Sequence, residues 1–164
     1  MANKIKNSEL HRIVLTAIIY NNKGQFLITK RSKKQKAFPG QWTVPGGGLE
    51  TEDYKDTKPT TSAGQWYYAL ENTLKREVKE EVNLEIGKPQ YLLDLTFIRP
   101  DGIPVVVLSY YAPYESGEVA LEEGELADTD YAWVTHEEAK DYDLIDGILE
   151  EIKMVDDILK KESK

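Results

Sequence analysis

The stretch Arg76-Glu77-Val78-Lys79-Glu80-Glu81, read together with Pro45-Gly46-Gly47-Gly48 upstream of it, decides the fold of this chain. Glu77, Glu80 and Glu81 stand three and four residues apart, so on a helix their carboxylates share one face. Like charges one turn apart destabilise a helix by roughly 0.2–0.5 kcal/mol per pair, and Arg76 offsets only part of that. A hard divalent ion such as Mg2+ or Mn2+ takes oxygen ligands and would offset the rest while also meeting substrate phosphates.

Outward from this stretch the chain alternates strand and turn signals. His11 to Tyr20 is an apolar, β-branched run, followed by Asn21-Asn22-Lys23-Gly24 and a second run from Gln25 to Thr29, which together read as a hairpin. A basic loop from Lys30 to Lys36 leads through Phe38-Pro39-Gly40 to a short strand around Trp42-Thr43-Val44 and then to the glycines. Residues 51–64 are polar and carry Pro59, so they read as a loop, with the extra segment at about 54–64. Thr61 or Ser62 is the expected N-cap of the glutamate helix, whose buried stripe would be Tyr67, Leu70, Leu74, Val78 and Val82. Asn83 is the expected left-handed C-cap.

Downstream, Tyr91 to Ile98 and Ile103 to Tyr114 flank Arg99-Pro100-Asp101-Gly102 and read as a second hairpin. An acidic loop from Glu115 to Asp130 precedes the strand Tyr131 to Val134, and Thr135-His136-Glu137-Glu138 fits a capping box. A C-terminal helix is expected at about 143–162, with Leu144, Ile145, Ile148, Leu149, Ile152, Val155 and Leu159 as its apolar stripe. Mixed strands with segregated helices give an α+β, αβα layout in one domain over 1–164.

Composition bounds the function. The net charge of −8 argues against a broad electrostatic footprint for nucleic acid polymers, so an anionic substrate must be met locally. The absence of cysteine excludes disulfides and thiolate chemistry and suits a cytoplasmic location. No apolar run approaches a membrane span, and Met1 to Leu10 is polar rather than signal-like. His11 and His136 lie far apart and at no ligand spacing, so neither is given a metal role.

In this arrangement the chain resembles the Nudix hydrolases, whose signature is G-x5-E-x7-R-E-U-x-E-E-x-G-U, with U an apolar aliphatic residue. Gly47 opens the pattern and Asp53 stands in place of the first Glu. Arg76, Glu77, Val78, Glu80, Glu81 and Leu84 fill their places, and Asn83 replaces the late Gly. From Tyr54 to Lys75 there are 22 residues where the family has seven, so 15 extra residues lie inside the motif. The likeness runs from about Arg12 to Leu159.

The resemblance implies a Nudix-type αβα sandwich with a mixed sheet and the motif helix packed against it. It implies Mg2+ or Mn2+ held by Glu77, Glu80 and Glu81 with the Gly46 carbonyl, and Arg76 as the partner that orients the carboxylates. The reaction would be hydrolysis of a small nucleoside diphosphate-linked compound, with Glu80 as first choice of base and Glu81 as second. A base can also come from the late loop, where Glu122, Glu123 and Glu125 are candidates. A nucleoside triphosphate giving monophosphate and pyrophosphate is the leading substrate, ADP-ribose or a nucleotide sugar the alternative, and a non-catalytic nucleotide-binding module the reading from another class. Arg31, Gly47, Trp66, Tyr68 and Glu123 are the candidate substrate contacts. Arg31 suits phosphate oxygens but is equally at home in solvent, and Trp66 and Tyr68 offer faces for a base. Tyr67 and Trp133 are expected in the core. The protein would act without nucleic acid or membrane partners, as a monomer or homodimer.

Overall fold

The structure is a computed structural model and describes residues 6–121 and 128–164. Eight strands are present among the described residues: β1 (Arg12–Tyr20), β2 (Phe26–Lys30), β3 (Trp42–Thr43), β4 (Gly46–Gly48), β5 (Glu85–Ile86), β6 (Gln90–Ile98), β7 (Pro104–Ser116) and β8 (Asp130–Val134). Among the same residues three α-helices accompany them: α1 (Ala69–Val82), α2 (His136–Ala139) and α3 (Ile148–Glu162).

The strands form one mixed sheet. β1 runs antiparallel to β2 and β4 but parallel to β7, in a register that pairs Arg12 with Val105 and Thr16 with Ser109. β6 returns antiparallel on β7, and β8 pairs with β2. Both expected hairpins are therefore present. Their turns carry glycines at positive φ, Gly24 at 72° and Gly102 at 82°, a conformation that costs glycine nothing.

Alternation along β1 sends residues to two cores. Leu15, Ala17 and Ile19 pack with Leu74, Val78 and Val82 of α1, while Ile18 packs with Ile148, Ile152 and Val155 of α3. The result is the expected αβα sandwich, with the sheet in the middle. Among the described residues no helix is long and apolar enough to cross a membrane.

Three expectations about the helices need correction. α1 begins at Ala69, after Tyr68 at φ 61°, and neither Thr61 nor Ser62 caps it. The preceding segment is folded back on itself instead: Thr60 N–H donates to the Gln65 carbonyl (2.8 Å) and Tyr67 N–H to Thr60 Oγ1 (3.1 Å). Those local bonds compete with the helix for the same backbone groups. Tyr67 is accordingly 55% exposed rather than part of the core. α3 begins at Ile148, because Gly147 at φ 94° breaks the helical path. Leu144 and Ile145 lie before it, bound to the β3 strand through Ile145 N–H to the Trp42 carbonyl (2.9 Å). Trp133 is only partly buried, edge-on to Tyr114 and packed against the α1 core.

Other local expectations hold. Asn83 adopts the left-handed C-cap at φ 60°. Thr135 caps α2, its Oγ1 accepting from Glu138 N–H while Glu138 reaches back to Thr135 N–H. Residues 54–68 are a loop, closed by Trp66 against Tyr54 with ring centroids 5.3 Å apart.

Candidate active site

The site begins where α1 crosses β4. Two elements meet there because the apolar stripe of α1 buries against β1, and the glycines of β4 allow the glutamate edge of the helix to approach the backbone closely. A Cβ built on Gly47 would fall 2.6 Å from Glu77 Oε1 and closer still to its Cδ and Oε2. At Gly46 the same construction collides with the backbone of β1, reaching 2.9 Å from Thr16 Cα. Gly46 N–H donates to Glu81 Oε2 at 2.9 Å. The missing side chain of Gly47 therefore makes room for Glu77, while Gly46 lies flush on β1 and offers its amide to Glu81.

Arg76 organises the rest. Its guanidinium donates to Glu77 Oε1 (2.9 Å) and Glu80 Oε2 (2.8 Å), and its Nε lies 2.7 Å from Asp53 Oδ1. Asp53 also accepts from Glu50 N–H (2.9 Å) and Thr73 Oγ1 (3.1 Å), so the shorter acid of the motif still reaches the arginine. Burial alone would raise the Asp53 pKa, but the Glu50 amide, Arg76 and Thr73 outweigh it and hold it below the usual range. Glu77 goes the other way: burial pushes its pKa up, against the opposing pull of Arg76. A half-desolvated carboxylate of this kind is an oxygen donor that a cation would stabilise.

Among the described residues no three acidic or imidazole side chains converge as a finished coordination shell. The geometry gives the reason, since Glu77 and Glu80 are turned to Arg76 and Glu81 to the Gly46 amide. The donor set nonetheless suits a hard divalent cation, being three carboxylates within one helical turn beside a glycine strand. Glu77, Glu80 and Glu81 could hold it, beside the β4 backbone to which Glu81 is hydrogen-bonded.

The glutamates and glycines open onto a cleft of about 860 Å³ on the α3 face of the sheet. Its walls include Val14, Thr16, Val105 and Val107 from the sheet, and Phe38 and Phe97 at the margin. This is the size range of small-molecule sites. The expected residues separate clearly. Gly46, Gly47, Glu77, Glu80, Glu81 and Arg31 line the cleft, and Arg76 stands behind it. Trp66 and Tyr68 do not line it. Trp66 is committed to its own loop, with Nε1 donating to the Thr57 carbonyl at 3.1 Å, and Tyr68 is exposed at the start of α1. Glu122, Glu123 and Glu125 lie outside the described residues. Arg31 donates through Nε to the Ala37 carbonyl (3.0 Å), so it also clasps the basic loop.

Arg12 and Glu151 also line the cleft, and the sequence reading singled out neither. Arg12 opens β1 and looked like an ordinary strand end. Glu151 of α3 is only 5% exposed and accepts from Ser109 Oγ at 2.6 Å, with burial raising its pKa. A signal for Glu151 existed: it stands three residues after Ile148 and four before Val155, an acid on the apolar stripe.

Comparison with known proteins agrees with this geometry. The family model described as the NUDIX domain matches residues 10–155. A nucleoside triphosphatase NudI from Klebsiella pneumoniae is 29% identical, over 82% of this chain and 89% of the relative, and one from Enterobacter is also 29% identical over 81% and 88%. Among solved structures, a MutT protein from Methanosarcina mazei superposes with a TM-score of 0.66 at 24% identity, covering 92% of this chain and 96% of that one. The NUDIX domain of Shewanella oneidensis NrtR, solved with ADP ribose, gives 0.69 at 18% identity over 96% and 95%. The glycine strand, the glutamate helix and a family match spanning nearly the whole chain lead to one conclusion: this protein belongs to the NUDIX hydrolase family.

Proposed function

We propose that the protein hydrolyses nucleoside triphosphates to the monophosphate and pyrophosphate, using Mg2+ or Mn2+. The observation that carries this reading is the fit of Glu77 and Glu81 to the Gly46–Gly47 backbone in the wall of a nucleotide-sized cleft. The naming of its relatives as nucleoside triphosphatases supports the choice of substrate over ADP-ribose or a nucleotide sugar.

Glu77, Glu80 and Glu81 would hold the cation, which when bound neutralises diphosphate charge and acidifies water. Water attacks one phosphorus of the diphosphate bridge, the bridging P–O bond breaks, and the water proton passes to a carboxylate. Glu80 is the first choice for that base and Glu81 the second. Glu80 is the most exposed member of the Arg76 cluster, tethered by one ion pair that it can release. Arg76 keeps Glu77 and Glu80 oriented, and Asp53 keeps Arg76 in place. Val14, Val105 and Val107 exclude water from one side of the nucleotide. Gly47 must stay bare for Glu77, and Arg31 supports the loop that borders the phosphates. The chain would act as one domain, as a monomer or homodimer.

Phosphate release from a nucleotide panel with Mg2+ or Mn2+ tests the reading, and a chelator should abolish it. Glu80→Gln should leave the melting temperature unchanged and lower kcat by ~10²–10⁴-fold. Full activity in that variant removes Glu80 as the base. Tight nucleotide binding without turnover across the panel would make the protein a binding module instead.

A further inference from the structure

The cleft holds an arginine that the hydrolysis scheme does not use. Arg12 lies on the same face of β1 as Val14 and Thr16, opposite Leu15 and Ala17, so its side chain enters the cleft. Its guanidinium rests over Gly48: a Cβ built there would lie 2.6 Å from one terminal nitrogen, 3.0 Å from Cζ and 3.5 Å from Nε. The absent side chain of Gly48 is the space the guanidinium occupies. Among the described residues Arg12 has no ion-pair partner, whereas Arg99 is bound to Asp101 at 2.6 Å and Arg31 clasps its own loop.

The position of Arg12 along the strands gives it a role. Gly46, Thr16 and Ser109 pair side by side, and the buried Glu151 of α3 hydrogen-bonds to Ser109, so α3 covers the sheet at that level and supplies the floor of the cleft there. Arg12 stands four residues back along β1, about 13 Å away at ~3.3 Å per residue. Glu81 stands at the level of the floor on the Gly46 amide, and Glu77 lies against Gly47, one residue nearer Arg12. A nucleotide with its nucleoside toward the floor and its scissile diphosphate at the glutamates sends whatever follows toward Gly48 and Arg12. For a triphosphate that is the third phosphate, a dianion suited to a guanidinium fork. For a nucleotide sugar it is a neutral ring.

We propose that Arg12, cradled by Gly48, binds the terminal phosphate of the substrate and so selects nucleoside triphosphates over diphosphates and nucleotide sugars. This rests on the diphosphate-hydrolysis reading above.

The test compares the wild type with Arg12→Gln and Arg12→Lys on a nucleoside triphosphate and the matching diphosphate. Arg12→Gln should lower kcat/KM for the triphosphate by ~10–100-fold, mainly through KM, as expected for one charge-assisted phosphate contact. The diphosphate should change by less than about threefold, and Arg12→Lys should recover part of the triphosphate loss. An equal fall on both substrates, or no fall on the triphosphate, overturns the proposal. Calorimetry with inorganic tripolyphosphate and with pyrophosphate, in the same metal, keeps the two readings separate. If the wild type hydrolyses nothing, the hydrolase reading fails. Unchanged tripolyphosphate affinity in Arg12→Gln would still overturn the role given to Arg12, and a selective loss of it would support that role.

Discussion

Gly47→Ala is the sharpest perturbation the structure offers, because it adds one methyl where a carboxylate already sits. Gly47 is not at positive φ, so alanine meets no backbone strain there. Removing a glycine from the unfolded chain should even favour folding by ~0.4–1 kcal/mol. The new Cβ, however, would stand 2.6 Å from Glu77 Oε1 and nearer to Cδ, where ordinary contact begins at 3.4 Å. Glu77 must therefore retreat by about 1 Å or more, on a side chain pinned by Arg76. A displacement of about 1 Å in a positioned group costs on the order of 10²-fold in rate, or about 2.7 kcal/mol of barrier. Initial rates across a metal titration, with thermal unfolding alongside, give the answer. The expected result is a fall of ~100-fold in kcat/KM, a weaker metal response and a melting temperature within a few degrees of wild type. Activity within threefold of wild type would refute the claim that Gly47 is bare to accommodate Glu77. A large loss of stability would show that Gly47 serves the fold instead.

Two more predictions address groups around the site. Asp53→Ala removes the buried anchor of Arg76, and activity should fall ~10–100-fold with a loss of about 1–3 kcal/mol in stability, read by denaturant titration. Asp53→Glu should recover most of the activity. Burial raises the Glu151 pKa above its ordinary 4.5, so the folded state holds this proton more tightly than the unfolded chain does. Its contribution to stability is fully present below pH 4.5 and is lost as pH rises through the folded pKa. Glu151→Gln should therefore gain stability relative to wild type between pH 4.5 and neutrality, and a constant difference in melting temperature across that range would contradict this.

Much of the architecture was legible because it rests on local chemistry. Alternating apolar runs with Asn-Lys-Gly and Pro-Asp-Gly turns specify the two hairpins, and Thr135 with Glu138 specifies a capped helix through bonds made within four residues. Asn83 ends α1 for the same kind of reason. The start of α1 was not legible, since Thr61 and Ser62 are good N-caps by type while Thr60 and Thr61 here bond to Gln65 and Tyr67. Both choices satisfy local rules, and packing of Trp66 on Tyr54 accompanies the loop. The same packing removes Trp66 from the cleft, so aromatic character near the motif was a poor guide to substrate contact.

The sequence by itself determined the carboxylate face of α1, the glycines set against it and the family they belong to, because helical periodicity and motif spacing are properties of the chain alone. Only the tertiary structure decided that Arg12 and Glu151 join them in the cleft. Arg12 and Glu151 are 139 residues apart in sequence and reach one cavity because β1 pairs in parallel with β7 and α3 packs across them both. Their roles depend on strand register and on the missing Cβ of Gly48, and neither is a pattern that neighbouring residues can show.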